Sequence, residues 1–163
     1  MSVIIFAALA AGIFLLELSL KNYIEKHLEM GEERTACQGK LLIRRYHNRG
    51  AFLDAGEKRQ KAVALLSLLL TLIMTVVFLA TFSFRGNSTL RAGLALLLGG
   101  AYSNTYDRLV RNYVVDYVSF PVKNKRIRRI VFNISDFCII IGALLMVLGE
   151  GRGKGNKKKK VRR

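Results

Sequence analysis

Acidic residues are scarce in this chain. Eleven Asp and Glu stand against 27 Lys and Arg among 163 residues, and cysteine occurs only twice. Two cysteines cannot build a disulfide framework. Cys138 sits just inside an apolar run, which argues against pairing with Cys37. Neither cysteine stands at metal-ligand spacing to His27 or His47, so no metal or cofactor is expected. Those four residues read as small core residues and surface histidines. No Ser/His/Asp or Cys/His set is evident either. Charge itself is missing from long stretches, most completely from Ala62 to Phe82. A basic soluble nucleic-acid binder has no use for uncharged runs of about 20 residues, so that class is set aside.

What is present is a segregated pattern in which apolar blocks alternate with basic ones. Four apolar runs are read as membrane helices: Val3 to Leu20, Ala62 to Phe82, a short run from Leu90 to Tyr106, and Ile130 to Gly149. Each is near the length that crosses a hydrocarbon core of ~30 Å. Helices satisfy their own backbone there, and the pattern lacks the alternation of a barrel. The first run is expected to be retained rather than cleaved as a leader, since Met-Ser-Val-Ile-Ile carries no basic side chain.

Between the first two runs lies a mixed segment, 21–61, with Gly31, Gly39, Gly50 and Gly56. Its stretch from Lys40 to Tyr46 suits a strand, and a small, partly β platform on the membrane surface is expected. The stretch Tyr113-Val-Val-Asp-Tyr-Val-Ser-Phe is also rich in β-formers and ends at the only proline, Pro121. The chain is thus read as an all-α membrane protein with one small β platform. Residues 1–150 form its single domain, and 151–163 a basic, disordered tail. That tail should touch anionic lipid headgroups at ~1 kcal/mol per charge near the surface, or nucleic acid only nonspecifically. Its charge density places both termini in the cytoplasm; a plain count over the loops favours the opposite topology.

The acids are few, but two are arranged alike. Asn104-Thr-Tyr-Asp107 ends one apolar run and Asn133-Ile-Ser-Asp136 opens another. A hairpin of those two runs brings both carboxyls to one membrane face, where ionisable groups are costly and are functional candidates. Residues three apart share a helix face, so each Asn is placed to orient its Asp. Two close carboxyls titrate as a unit, one protonated and one charged. Such a pair can activate water and polarise a peptide carbonyl. The bland reading is that both acids merely mark helix ends.

Three blocks closely resemble the type II (lipoprotein) signal peptidases. They are Gly99-Gly-Ala-Tyr-Ser-Asn104-Thr-Tyr-Asp107-Arg108-Leu109, Tyr113-Val-Val-Asp116-Tyr117 and Phe132-Asn133-Ile-Ser-Asp136. Asn48-Arg-Gly50-Ala-Phe52 and Glu17-Leu-Ser-Leu-Lys21 are similar to two further blocks upstream. The resemblance implies a four-helix aspartic endopeptidase of the bacterial inner membrane, with an extracytoplasmic β-cradle and its active site near the outer face; a monomer is expected, since only a generic small-residue ridge hints at helix association. The resemblance implies removal of signal peptides from prolipoproteins, with the cut before a diacylglyceryl-modified cysteine. It assigns Asp107 and Asp136 as the catalytic dyad, with Asn48, Gly50, Asn104, Arg108 and Asn133 shaping the site. Asp116 is expected to organise the outer loop, and Glu17 and Lys21 to be structural. Where the pattern usually has Asp, Gly and Ala, this chain has Glu17, Ser103 and Ser135. Three other readings stand beside the lipoprotein peptidase. One is a diverged paralogue with a different membrane substrate, another a proton-coupled transporter using Glu17, and the last a non-catalytic adaptor that holds a lipidated peptide.

Overall fold

A computed structural model describes residues 2–50, 59–83 and 87–161, leaving aside the side chains of 125, 126 and 150–161. In chain order it has helix α1 (Val3–His27), strands β1 (Glu33–Ala36) and β2 (Leu41–Asn48), and helices α2 (Gln60–Ala80) and α3 (Ser88–Val110). Strand β3 (Val114–Ser119), the single turn α4 (Lys125–Arg128) and helix α5 (Ile134–Val161) follow. The protein is mostly helical with one three-stranded antiparallel sheet, ordered β1-β2-β3.

The helices are apolar on the outside. Leu65, Leu66, Leu69, Leu70 and Val76 of α2 are all at least half exposed. A helix that shows leucine to its surroundings on this scale is solvated by something other than water. Val3–His27 and Gln60–Ser83 are long and apolar enough to cross a membrane, and Ile134–Gly149 is a shorter apolar stretch. Helix α3 behaves differently because it is the central one. It packs on α1, α2 and α5, and it buries Arg91, Ser103, Asn104, Thr105 and Asp107 together with Leu94, Ala95 and Leu98. Its neighbours, not lipid, decide its composition, so a hydropathy pattern describes it poorly.

Close approach explains the small residues. A Cβ on Gly142 would lie 2.5 Å from Gly93 O, and one on Gly93 would lie 2.7 Å from Gly142 O. Helices α3 and α5 therefore touch backbone to backbone, as small residues permit. Gly100 lets Ser135 O approach in the same way. A core of Phe6, Phe78, Leu94, Ala95 and Leu98 fills the opposite side of α3.

The sheet stands on the other end of the bundle. Strand β2 pairs with both β1 and β3, and a register irregularity falls between Ile43 and Tyr46. Helix α1 continues seven residues past the apolar run, to His27, and meets the sheet through Ile24, Leu28, Val115 and Tyr117. His47 stacks on Tyr113 and bonds Glu25 at 2.6 Å, which ties the sheet to α1 again. The fourth helix starts at Ile134 rather than 130, because Phe132 bridges to Val118 of β3. Helix α5 is helical backbone to Val161, across the stretch read from sequence as a disordered tail; lysine propagates helix readily. Ala51, Phe52 and Gly56 lie outside the described residues.

Candidate active site

The first turn of α5 supplies the focus. Asn133 precedes the helix and Asp136 is its third residue. Asp136 N donates to Asn133 Oδ1 at 3.0 Å, and Asn133 N donates to Asp136 Oδ2 at 3.0 Å. This reciprocal pair is a capping box built from Asn and Asp. It satisfies orphan helix donors and locks the Asp136 carboxylate at the helix mouth. The second Asn-x-x-Asp spacing is thus a capping device as well as a candidate catalytic one.

Asn133 also reaches outward. Its Nδ2 donates to Asp116 Oδ1 at 2.7 Å and to Asn104 Oδ1 at 3.2 Å. Asn104 in turn donates to Asp136 Oδ1 at 3.0 Å. Asn48, at the end of β2, donates to Asp116 Oδ2 at 3.1 Å, and Gly50 N donates back to Asn48 Oδ1. Asp116 and Asp136 are therefore joined through one residue, Asn133, whose side-chain amide donates to the first and whose backbone N–H donates to the second, with neutral donors on both. Asp116 is 2 % exposed. Burial, then the neighbouring Asp136 charge, push its carboxyl up to about 7, against the opposing bonds from Asn48 and Asn133 and the Lys21 charge. Asp136 is only partly buried.

Asp107 has another environment. Lys21 Nζ lies 3.0 Å from its Oδ2, and Val115 N donates to that same oxygen at 3.2 Å. Arg111 Nε lies 3.1 Å from Oδ1, in ion-pair range but off the hydrogen-bond direction. The carboxyl is fully buried. Lys21 has three donors, and its other neighbours are Ser103 Oγ and Asn104 Oδ1, both at 2.9 Å, and the Glu17 carboxyl, whose Oε2 lies 3.7 Å away. Asp107 is thus an anion held between two cations. The reversal that follows α3 makes this possible. Asn112 takes φ +65°, a left-handed conformation that Asn tolerates better than most residues, and it turns β3 back onto the helix.

Glu17 is likewise buried. It accepts from the Tyr117 hydroxyl, from Ser135 N at 3.1 Å and from Ser135 Oγ at 2.7 Å. Arg108 donates to Asn104 O at 3.2 Å, within electrostatic range of Asp116, Asp136 and Asp107. The structure thus gathers Asn48, Gly50, Asn104, Arg108, Asp116, Asn133 and Asp136 at one end of the bundle, with Glu17, Lys21 and Asp107 directly behind them. The repeated spacing makes Asp107 and Asp136 look alike, and the structure gives them different partners. Asp107 shares its oxygens with cations, while Asp116 meets Asp136 through Asn133. Arg111, Tyr117, Ser103 and Ser135 belong to the network without having been singled out as site residues. Only Arg111 was detectable, because it falls four residues after Asp107 on one helix face.

Comparison with known proteins bears on the whole constellation. A family model described as signal peptidase (SPase) II matches residues 9–150. A lipoprotein signal peptidase of Mesorhizobium japonicum is 31 % identical over 147 residues, covering 89 % of this chain and 84 % of that protein. One of Lactiplantibacillus plantarum is 25 % identical over 150 residues, covering 89 % and 93 %. A solved structure described as a bacterial membrane enzyme superposes with a TM-score of 0.78 at 21 % identity, covering 95 % of this chain and 92 % of that one. At that identity the likeness concerns the fold.

Proposed function

The chain belongs to the signal peptidase II family, and on that premise we propose that it is a membrane peptidase in which Asp116 and Asp136 perform the hydrolysis. It removes signal peptides from prolipoproteins, as its relatives' name implies. The cut falls before the diacylglyceryl-modified cysteine. The observation that carries the assignment of the pair is that one residue, Asn133, donates to both carboxyls, through its side-chain Nδ2 to Asp116 and its backbone N–H to Asp136, while the third carboxyl, Asp107, is paired with Lys21 and Arg111.

The chemistry follows from the two environments. Asp116 keeps its proton to about pH 7, and a carboxylic acid can donate a hydrogen bond to a peptide carbonyl as negative charge develops on its oxygen. Asp136, at the open helix mouth, is the base that takes a proton from water as that water attacks the carbonyl carbon. Collapse of the tetrahedral species breaks the C–N bond, and the departing amine takes a proton from the pair. No covalent enzyme intermediate forms. Asn104 and Asn133 fix the carboxylates, and Asn48 fixes Asp116. Asp107, proposed from the sequence as half of the dyad, instead holds Lys21 and β3 in place.

Around this centre the reading is of four membrane-spanning helices, with α3 the central span. The sheet is an extracytoplasmic cradle, both termini are cytoplasmic, and the protein acts as a monomer in the bacterial inner membrane. Residues 1–150 are the peptidase domain, and the basic tail contacts anionic headgroups. The acyl chains of the substrate lie against the helices, where their burial at ~0.8 kcal/mol per methylene contributes to binding. A transporter that loads protons on Glu17 is disfavoured, because both Glu17 oxygens already accept bonds from Tyr117 and Ser135.

The test is a gel-shift assay with the purified chain in detergent and a diacylglyceryl-modified prolipoprotein. The unmutated chain cleaves before the modified cysteine; Asp116→Asn and Asp136→Asn do not, while remaining folded. Cleavage by Asp116→Asn at the unmutated rate would return the role to another carboxyl. No cleavage by the folded, unmutated chain would favour a different membrane substrate or a non-catalytic adaptor.

A further inference from the structure

Two of the positions where this chain departs from the signal peptidase II pattern touch each other. Glu17 stands where the resemblance leads one to expect Asp, and Ser135 where it leads one to expect Ala. Glu17 Oε2 accepts from both Ser135 N and Ser135 Oγ. The added methylene supplies reach, and the added hydroxyl supplies a donor for it. The other oxygen, Oε1, accepts from the Tyr117 hydroxyl, and that hydroxyl accepts from Ile134 N at 3.3 Å.

These bonds account for the first backbone donors of α5. Ile134 N goes to Tyr117, Ser135 N to Glu17 and Asp136 N to Asn133. A carboxylate at a helix N-terminus is favoured by both the orphan N–H groups and the helix dipole. Here the carboxylate comes from another helix, so the cap is also a cross-link. Tyr117 follows Asp116 in β3, and Ser135 precedes Asp136 in α5. Glu17 therefore clasps the neighbours of both proposed reacting carboxyls, and it is fully buried while doing so.

From this, and resting on the peptidase reading above, we infer that Glu17, Tyr117 and Ser135 form a clasp that sets the separation of Asp116 and Asp136. They are positioning residues for the hydrolysis, and Glu17 is matched in length to Ser135. All three clasp residues are buried away from the surface. The clasp acts through the geometry of the pair, where a displacement of about 1 Å costs on the order of 10²-fold in rate.

The experiment compares the full chain with Tyr117→Phe, Ser135→Ala, Glu17→Asp and Glu17→Asp/Ser135→Ala in the prolipoprotein gel-shift assay. Thermal unfolding is followed in the same detergent. Tyr117→Phe is expected to fold normally and to lose about 10-fold or more in kcat with KM little changed. Its kcat–pH profile should also be displaced, because the coupling between the two carboxyls depends on their separation. Glu17→Asp is expected to lose activity, because the Ser135 hydroxyl is left buried without its acceptor. Adding Ser135→Ala then recovers part of that loss, so the double change is better than the sum of the singles. Unchanged kcat and pH profile in Tyr117→Phe would overturn the clasp, as would additive losses in the double variant. If the Glu17 variants fail to fold, Tyr117→Phe decides alone. Absence of cleavage by the unmutated chain would instead strike the peptidase reading, so the two failures are distinguishable.

Discussion

Asp116 carries a strong electrostatic signature in the sheet. Burial and the facing Asp136 hold its carboxyl up to about 7. An acid that works in its protonated form loses function as pH rises through that value, so kcat should fall across a basic limb near pH 7. The bond from Asn48 opposes the upward shift. Asn48→Ala should therefore move that limb to higher pH, measured as kcat against pH; a limb that stays or moves down would refute the assignment. The same shift makes a statement about stability. A raised folded-state value contributes fully below the unfolded carboxyl range and is lost as pH rises through about 7. Asp107 is the contrasting case. Asp107→Asn removes the 3.0 Å counter-ion of buried Lys21 and leaves it only Glu17 Oε2 at 3.7 Å; removing one partner of a buried pair costs about 3–5 kcal/mol, and the remaining Glu17 places the loss at the lower end. A lower melting temperature and a poor yield of folded protein are expected, whereas Asp136→Asn should melt near the unmutated chain.

At the level of elements, the α3–α5 contact sets the site. Gly93 and Gly142 bring the backbones together, and Gly100 admits Ser135 O, so that Asn104 on one helix reaches Asp136 on the other. Gly142→Ala should force the helices apart at a cost of about 1–3 kcal/mol, read as a fall in melting temperature. Gly12→Ala, whose Cβ meets nothing within 4 Å, is the neutral control; equal effects would discount the close approach. Much of this scale was legible in the sequence. The uncharged run gave α2, and the β-rich stretches gave β2 and β3 almost to the residue. Helix α3 was legible only as a short apolar run, since its buried polar residues are satisfied by partners distant in sequence. The sequence placed the site residues close together, while their hydrogen-bond partners are set by the fold. Two identical Asn-x-x-Asp spacings look equivalent in one dimension. Lys21, which lies 86 positions from Asp107 along the chain, neutralises only one of them.

For the whole molecule, orientation is contested between positive charge in the loops and positive charge in the tail. Cys37 offers a direct reading. It is exposed in the turn between β1 and β2, while Cys138 lies in α5 and is partly covered. If the cradle faces outward, a membrane-impermeant maleimide added to intact cells should label Cys37 and leave a Cys37→Ser variant unlabelled. Labelling only after the cells are opened would invert the topology and put the carboxyl pair on the cytoplasmic side. The arrangement of the cradle has a further consequence, in the order of synthesis. Helix α5 emerges from the ribosome after the other described elements, yet Asn133, Ser135 and Asp136 all come from its entrance. Until that helix arrives, Asp116 has no partner carboxyl and Glu17 has no helix end to hold. With Asp116 and Asp136 as the proposed reacting pair, a chain whose α5 has not yet been inserted is inert and cannot cut its neighbours in a crowded membrane.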